Sequence, residues 1–373
     1  MDDRTLQEKV IAFRRALHRI PEIGFDLPKT RAYLTSHLAT LGCEIRDLGP
    51  AGFTAYFAAA AAAETIAFRT DMDALPVEEA GESDYRSEHA GAMHACGHDG
   101  HMSILLGLAT WVSEHRAAIG KNVLLVFQAA EETTGGAKII CGTGVLKDYG
   151  VSRIYGLHLW PGYPKNVVVC RPEAFMAGTV VLGVGIAGHS VHIAEYQKGA
   201  DALEAGCRFV EQAYAMEKAL PDEVFRLLRF GDFHSGTADN VVADSANIRG
   251  VMRAYDDAIF DAFWDGMHRI AAEIEADTDV RFSFRRSEGY PPVVNPAALY
   301  DAARAVLTKA GFTWFELPAP ILPAEDFSYY QREVPGLFFH LGTGVDAKLH
   351  ACDYTIDEDV LLTGVKLFRA LLQ

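Results

Sequence analysis

The chain has 373 residues, half of them hydrophobic, which is enough for one large or two medium domains, each with its own core. Its formal net charge of −16 repels phosphate backbones, and no Lys/Arg-rich run offers a local exception, so nucleic acid is not an expected partner. No run of about 18 apolar residues occurs, and "MDDRTLQEKV" has no basic segment leading into an apolar one, so no membrane is expected as a partner and the expected location is cytoplasmic.

In chain order, "LQEKVIAFRRALHRI" and "TRAYLTSHLATLG" have helical periodicity, "TIAFRTDMDALP" opens extended, and "HMSILLGLATWVSEH" is helical again. The Ala58–Ala63 run between "FTAYF" and "TIAFRT" reads as a loose hairpin connection. Three β-rich runs follow, "NVLLVFQAAEE", "RIYGLHLW" and "NVVVCRP", each bounded by polar or Gly/Pro punctuation. This alternation predicts an α/β layered domain with a largely parallel or mixed sheet.

From about Gly178 to Arg286 the order becomes extended, helical, extended, extended, helical, extended. That is βαββαβ, the ferredoxin-like unit. "SEGYPPVVNP" then leads back to helix, strand and helix. The expected architecture is a discontinuous α/β domain, residues 1–177 and 287–373, interrupted by an α+β domain, residues 178–286. Six cysteines (Cys43, Cys96, Cys141, Cys170, Cys207, Cys352) form no CxxC pair, so neither a disulfide framework nor a zinc ribbon is indicated, and most are expected to be small buried hydrophobes.

Several groups could carry chemistry. Cys96 and His98, in "HACGHDGH", can face one point at the start of a helix. A thiolate with imidazoles suits zinc, nickel, cobalt or manganese better than magnesium; a polar helix cap is the alternative. Glu131 and Glu132 end a strand before a Gly-rich turn. Adjacent like charges raise one pKa, so one acid would ligate and the other handle protons, unless the pair is a solvated turn. His158 sits in an apolar strand, as a core histidine or a ligand, and His350 follows a glycine loop. Asp71 and Asp73 share a face if the strand continues, where they could bind metal, orient a ligating histidine or make an Asx turn.

Taken in order, "FRRALHRIPEIGF", "RTDMDALP", "MHACGHDGHM", "FQAAEE", "GLHLWP", "TADNVVADSANIRGVMR", "AEDFSYY" and "PGLFFHLGTG…LH" resemble the metal-dependent amidohydrolases of the aminoacylase, hippurate hydrolase and carboxypeptidase-G type. The resemblance spans nearly the whole chain. It implies a metallopeptidase-like catalytic domain with an inserted lid and dimerisation domain, and a homodimer formed through the insert. It also implies two divalent metal ions per subunit (zinc, manganese, nickel or cobalt) held by Cys96, His98, Glu132, His158 and His350.

The resemblance makes Glu131 the general base, Asp73 the carboxylate supporting the metal site, and His189 the imidazole facing the oxyanion. Asn240 and Arg253 become substrate contacts. The implied substrate is a small N-acyl amino acid, whose amide Glu131 helps to split by taking a proton from water and returning it to the leaving amine. Within the family the phrasing is most similar to deacetylases of N-acetyl-diaminopimelate, in lysine biosynthesis. A broader N-acyl-amino-acid amidohydrolase or dipeptidase is the alternative, and a non-catalytic metal- or amino-acid-binding protein a remoter one. Where relatives carry "GHAAxPH", this chain has "GHSVHIAEYQKGAD": His189 is kept, the Pro-His pair is lost, and His192 is either a substitute imidazole or a surface residue. Ala324 replaces a customary glycine before Glu325 and Asp326.

Overall fold

A computed structural model describes residues 1–372 except Ala61, Ala63 and Thr134. The chain divides into two compact units: Met1–Glu173 with Val294–Ala319 and Asp326 onward, and Ala174–Val293 with Pro320–Glu325.

The first unit is built on an eight-stranded sheet in the order Glu44–Asp47, Gly52–Phe57, Asn122–Gln128, Thr65–Asp71, Val151–Trp160, Gly336–Gly342, Val167–Cys170, Thr313–Glu316. Its four central strands run parallel. These strands are almost wholly buried, as parallel strands covered on both faces are. "FTAYF" and "TIAFRT" are not hairpin partners as the sequence suggested. Asn122–Gln128 lies between them, antiparallel to the first and parallel to the second. The Ala58–Ala63 connection itself falls partly outside the described residues.

The helix His98–Ile119 is buried on every side from His98 to Val112, the pattern of a central helix rather than a surface one. Its neighbours are the helices Asp3–His18 and Val360–Leu372. Asp2 caps the first of these by accepting the Thr5 amide at 2.8 Å, and Leu6, Val10, Phe13 and Leu17 face the core at helical spacing. Gly107 permits the close crossing: a Cβ there would lie 2.7 Å from Val10 and 2.8 Å from Val365 side-chain carbons.

The second unit is a four-stranded antiparallel sheet in the order Arg281–Arg286, Gly178–Ala187, Ser245–Ala254, Arg226–Ser235. The helices Ala202–Lys218 and Asp257–Asp277 cover one face through a core that includes Val180, Leu182, Val184, Ile186, Phe209 and Phe263. Asp201 and Asp256 cap the two helices. The chain order is βαββαβ.

No helix among the described residues is long and apolar enough to cross a membrane. All six cysteines are free thiols, but only Cys96 and Cys170 are buried, and Cys207 and Cys352 are exposed, so most are not the small buried hydrophobes that composition suggested. Their apolar character alone does not reveal burial, because Cys207 and Cys352 sit on helix and loop surfaces facing water.

Candidate metal centre

The chemistry-bearing residues collect at the carboxyl ends of the parallel strands, the usual place for a site on an open α/β sheet. Thr65–Asp71 delivers Asp71 and, two residues on, Asp73. Asn122–Gln128 leads into Glu131 and Glu132, and Val151–Trp160 carries His158 near its end. The turn before the central helix adds Cys96 and His98.

Several sets of donor atoms lie within 4.8 Å of one another, among them Cys96, His98 and His158; Cys96, Glu132 and His350; His98, Glu131 and Glu132; and Asp71, His98 and His101. The Cys96 Sγ to His158 Nε2 distance is 3.2 Å. Glu132 Oε1 lies 3.3 Å from His350 Nε2 and 3.7 Å from His98 Nε2. All five residues expected as ligands are therefore brought together, with Glu131 beside them.

The local backbone is bent to achieve this. Ala130 and His350 both have left-handed φ, 58° and 66°, a conformation that costs a residue with a Cβ of order 1–3 kcal/mol and that clusters at functional sites. After the acids, Gly136 passes so close to the Ala129 carbonyl that a Cβ would sit 1.9 Å from its oxygen. Asp73 holds the same turn from outside: its carboxylate accepts the amides of Glu131 (3.0 Å) and Glu132 (3.1 Å).

Hydrogen bonds fix how each imidazole points. His98 Nδ1 donates to the Asp73 carbonyl at 2.8 Å, which leaves Nε2 aimed inward, buried and without a hydrogen-bond partner. His158 Nδ1 donates to the Leu159 carbonyl at 2.8 Å, presenting its Nε2 to Cys96. A second nitrogen tied to a carbonyl is the usual arrangement of a metal-ligating histidine.

The electrostatics follow from this crowding. Burial disfavours a charged His98, yet Asp71, Asp73 and Glu132 outweigh it and lift the imidazole to about 10. Burial opposes ionisation of Glu132 too, but its bond to His350 and the nearby His98 hold it below the usual carboxylate range. Burial and the Glu132 and Glu131 charges push the Cys96 thiol well up, whereas burial and the neighbouring His101 keep His158 neutral. A divalent cation bound among these groups would reverse this local balance.

Beneath the cluster lies a buried polar network that sequence reasoning missed. Arg69 bonds Gln128 Oε1 (2.9 Å), Asp71 Oδ2 (2.9 Å) and Asp326 Oδ1 (2.7 Å). Gln128 in turn donates to both Asp326 oxygens and accepts from the Tyr330 hydroxyl at 3.0 Å. The available signal was a charged residue inside the apolar strand "TIAFRTD". A separate set ties the first helix to the central one: Asp99 Oδ2 accepts from Arg14 Nε and bonds His18 Nδ1, both at 2.8 Å.

His189, Asn240 and Arg253 belong to the second unit. The main chain of His189 pairs with that of Ala200, and its side chain is exposed. The exposed Asn240 accepts the Ile193 amide at its carbonyl, and Arg253 bonds the Leu322 carbonyl. His192 is an exposed residue whose Nδ1 accepts the Ala194 amide at 3.2 Å, capping a short 3-10 turn.

His340, in register with His158, stacks on Trp160 with ring centroids 3.9 Å apart. Burial pushes it down to about 3, so between there and its unfolded value, about 6.5, the unfolded chain binds the extra proton. Stability from this group is complete above about pH 6.5 and falls by about 1.4 kcal/mol per pH unit on acidification through that window. Replacing His340 with Phe is expected to flatten the slope by that amount, read from urea unfolding of the metal-free protein at pH 7, 6 and 5; an unchanged slope refutes the assignment.

Residues 67–373 match Peptidase family M20/M25/M40. The chain belongs to that family. It is 32% identical to an uncharacterized hydrolase of Staphylococcus haemolyticus (strain JCSC1435), over 98% of this chain and 97% of the relative. It is 30% identical to an N-acetyldiaminopimelate deacetylase of Leuconostoc citreum (strain KM20), over 98% and 96%. The crystal structure of the Bacillus subtilis YXEP protein, described as a dinuclear metal-binding peptidase from the M20 family, has TM-score 0.87 and 27% identity, covering 99% of this chain and 98% of that one. This M20 chain is a metal-dependent hydrolase of amide bonds. Its donors fit divalent cations on their own evidence: an inward, buried His98 nitrogen without a hydrogen-bond partner, a buried thiol, and carboxylates at one point.

Proposed function

We propose that the protein removes the acyl group from small N-acyl amino acids, with N-acetyl-diaminopimelate as the favoured substrate. The observation that carries the reaction class is the convergence of Cys96, His98, Glu132, His158 and the more exposed His350 with Glu131 alongside. The substrate rests on the resemblance to the deacetylase of Leuconostoc citreum.

On this reading the five convergent side chains hold two divalent ions. Bound there, such a pair supplies Lewis acidity, making water acidic enough to ionise near neutral pH and polarising a carbonyl. Glu131 takes the proton of the attacking water and delivers it to the nitrogen of the leaving amine, so that the C–N bond breaks to a carboxylate and a free amine. Asp73 positions both acids by holding their amides. His189 supplies a donor to the oxyanion, and Arg253 and Asn240 contact the substrate, with Arg253 meeting its free carboxylate. The second unit forms a homodimer, since Arg226–Ser235 is an edge strand that carries an exposed Phe233.

A metal-reconstituted panel of N-acyl amino acids, read by release of free amine, tests this reading. The expected order places N-acetyl-diaminopimelate first in kcat/KM. Equal or better turnover of hippurate or N-acetyl-methionine removes the specific substrate and leaves the broader amidohydrolase.

A further inference from the structure

His101, the last residue of "HACGHDGH", is 97% buried, adjoins the cluster and is not among the five convergent ligands. Both its nitrogens are committed. Nδ1 bonds Asp71 Oδ1 at 2.7 Å, and Nε2 accepts the Leu159 amide at 2.9 Å. A backbone amide only donates, so Nε2 carries the lone pair and Nδ1 the proton, which points at the carboxylate. With Nε2 used in this way, His101 has no nitrogen left for a metal, although it lies within reach of Asp71 and His98.

The bond to Leu159 falls where one neighbour of this strand stops pairing with it, while Gly336–Gly342 stays paired on the other side through Trp160. Pairing of Thr65–Asp71 with Val151–Trp160 ends at Arg69 opposite Gly156, three residues before Leu159. His101 takes over as acceptor for an amide the departing strand no longer serves. Leu159's own carbonyl is what holds His158 Nδ1. The His101 and His158 rings also pack edge to face, centroids 4.6 Å apart. Asp71 is anchored in turn by Arg69 through its other oxygen. His98 is braced differently, by the Asp73 carbonyl.

We propose that His101 is a positioning residue for the ligand His158, and that Asp71, His101 and the Leu159 main chain set the affinity of one of the two metal positions while leaving the other to the Asp73 brace. This rests on the dinuclear reading above. Losing the brace lets the Leu159 peptide and the His158 ring turn away from Cys96, so the ion that depends on His158 loosens first.

Two variants separate bonding from packing. His101→Phe keeps a ring against His158 and loses both hydrogen bonds; His101→Gln loses the ring but retains one donor for Asp71 and one acceptor for Leu159. Cobalt(II) binding to the full chain against a competing chelator is followed by stoichiometry and by thiolate-to-cobalt absorption. The wild type is expected to bind two ions. His101→Phe is expected to keep one near wild-type affinity and weaken the other about 10- to 100-fold, the usual cost of removing such a support, and His101→Gln to recover both to within a few-fold. Two ions held by His101→Phe as tightly as by the wild type overturn the proposal, as does equal weakening of both ions without rescue by His101→Gln. A wild type that binds no cobalt overturns the dinuclear reading itself, and this inference with it.

Discussion

Replacing Glu131 with Gln is expected to lower kcat by about 10²–10⁴-fold, the range a positioned proton-transfer group contributes, while metal content stays at the wild-type level. The amide matches the carboxylate in size, and the Glu131 main-chain amide still donates to Asp73, so the turn keeps its shape. What is lost is the ability to take a proton from water and return it to the amine. Glu132→Gln offers the contrast: its carboxylate faces both His98 and His350, so its loss is expected to lower metal occupancy before anything else. Kinetics on an N-acyl amino acid with metal analysis of the same samples reads both. A Glu131→Gln enzyme with wild-type kcat would remove Glu131 from the reaction, and one stripped of metal would make it a ligand instead.

What the sequence revealed of this site depended on chain distance. Cys96 and His98, or Glu131 and Glu132, are neighbours whose side-chain types point to shared chemistry wherever the chain goes. The βαββαβ order was readable because each element carries its own period. Strand order was not readable: nothing in "FTAYF" states that its partner is Asn122–Gln128, more than 60 residues away, rather than the next strand. The Asp71/Asp73 pair was legible as a pair and illegible as two jobs. The strand ends at Asp71, and the turn sends Asp73 to the acids while Asp71 stays with Arg69 and His101. Arg69 and Asp326 are 257 residues apart, and only the assembled sheet brings them within 2.7 Å. The thiols misled for a related reason, since an apolar side chain does not report whether its surface is covered.

Arg69→Met is expected to destabilise the fold by about 3–5 kcal/mol, because it leaves carboxylates of Asp71 and Asp326 buried without their cation. All three side chains are at most 1% exposed, so water cannot take the guanidinium's place. Methionine nearly fills the volume, which confines the loss to charge and hydrogen bonding. Adding Asp326→Asn should recover part of it by removing one stranded charge, and urea unfolding of the single and double variants measures the coupling. A single variant within about 1 kcal/mol of wild type would mean the network is solvated after all. The deficit should also depend on metal. Ligand binding to the native state adds stability in proportion to the logarithm of concentration over Kd. Arg69 anchors Asp71, Asp71 holds His101, and His101 supports the strand that carries His158. If loosening passes along that chain, the loaded variant loses more stability relative to loaded wild type than the metal-free pair differ; equal deficits would mean that Arg69 supports the sheet alone.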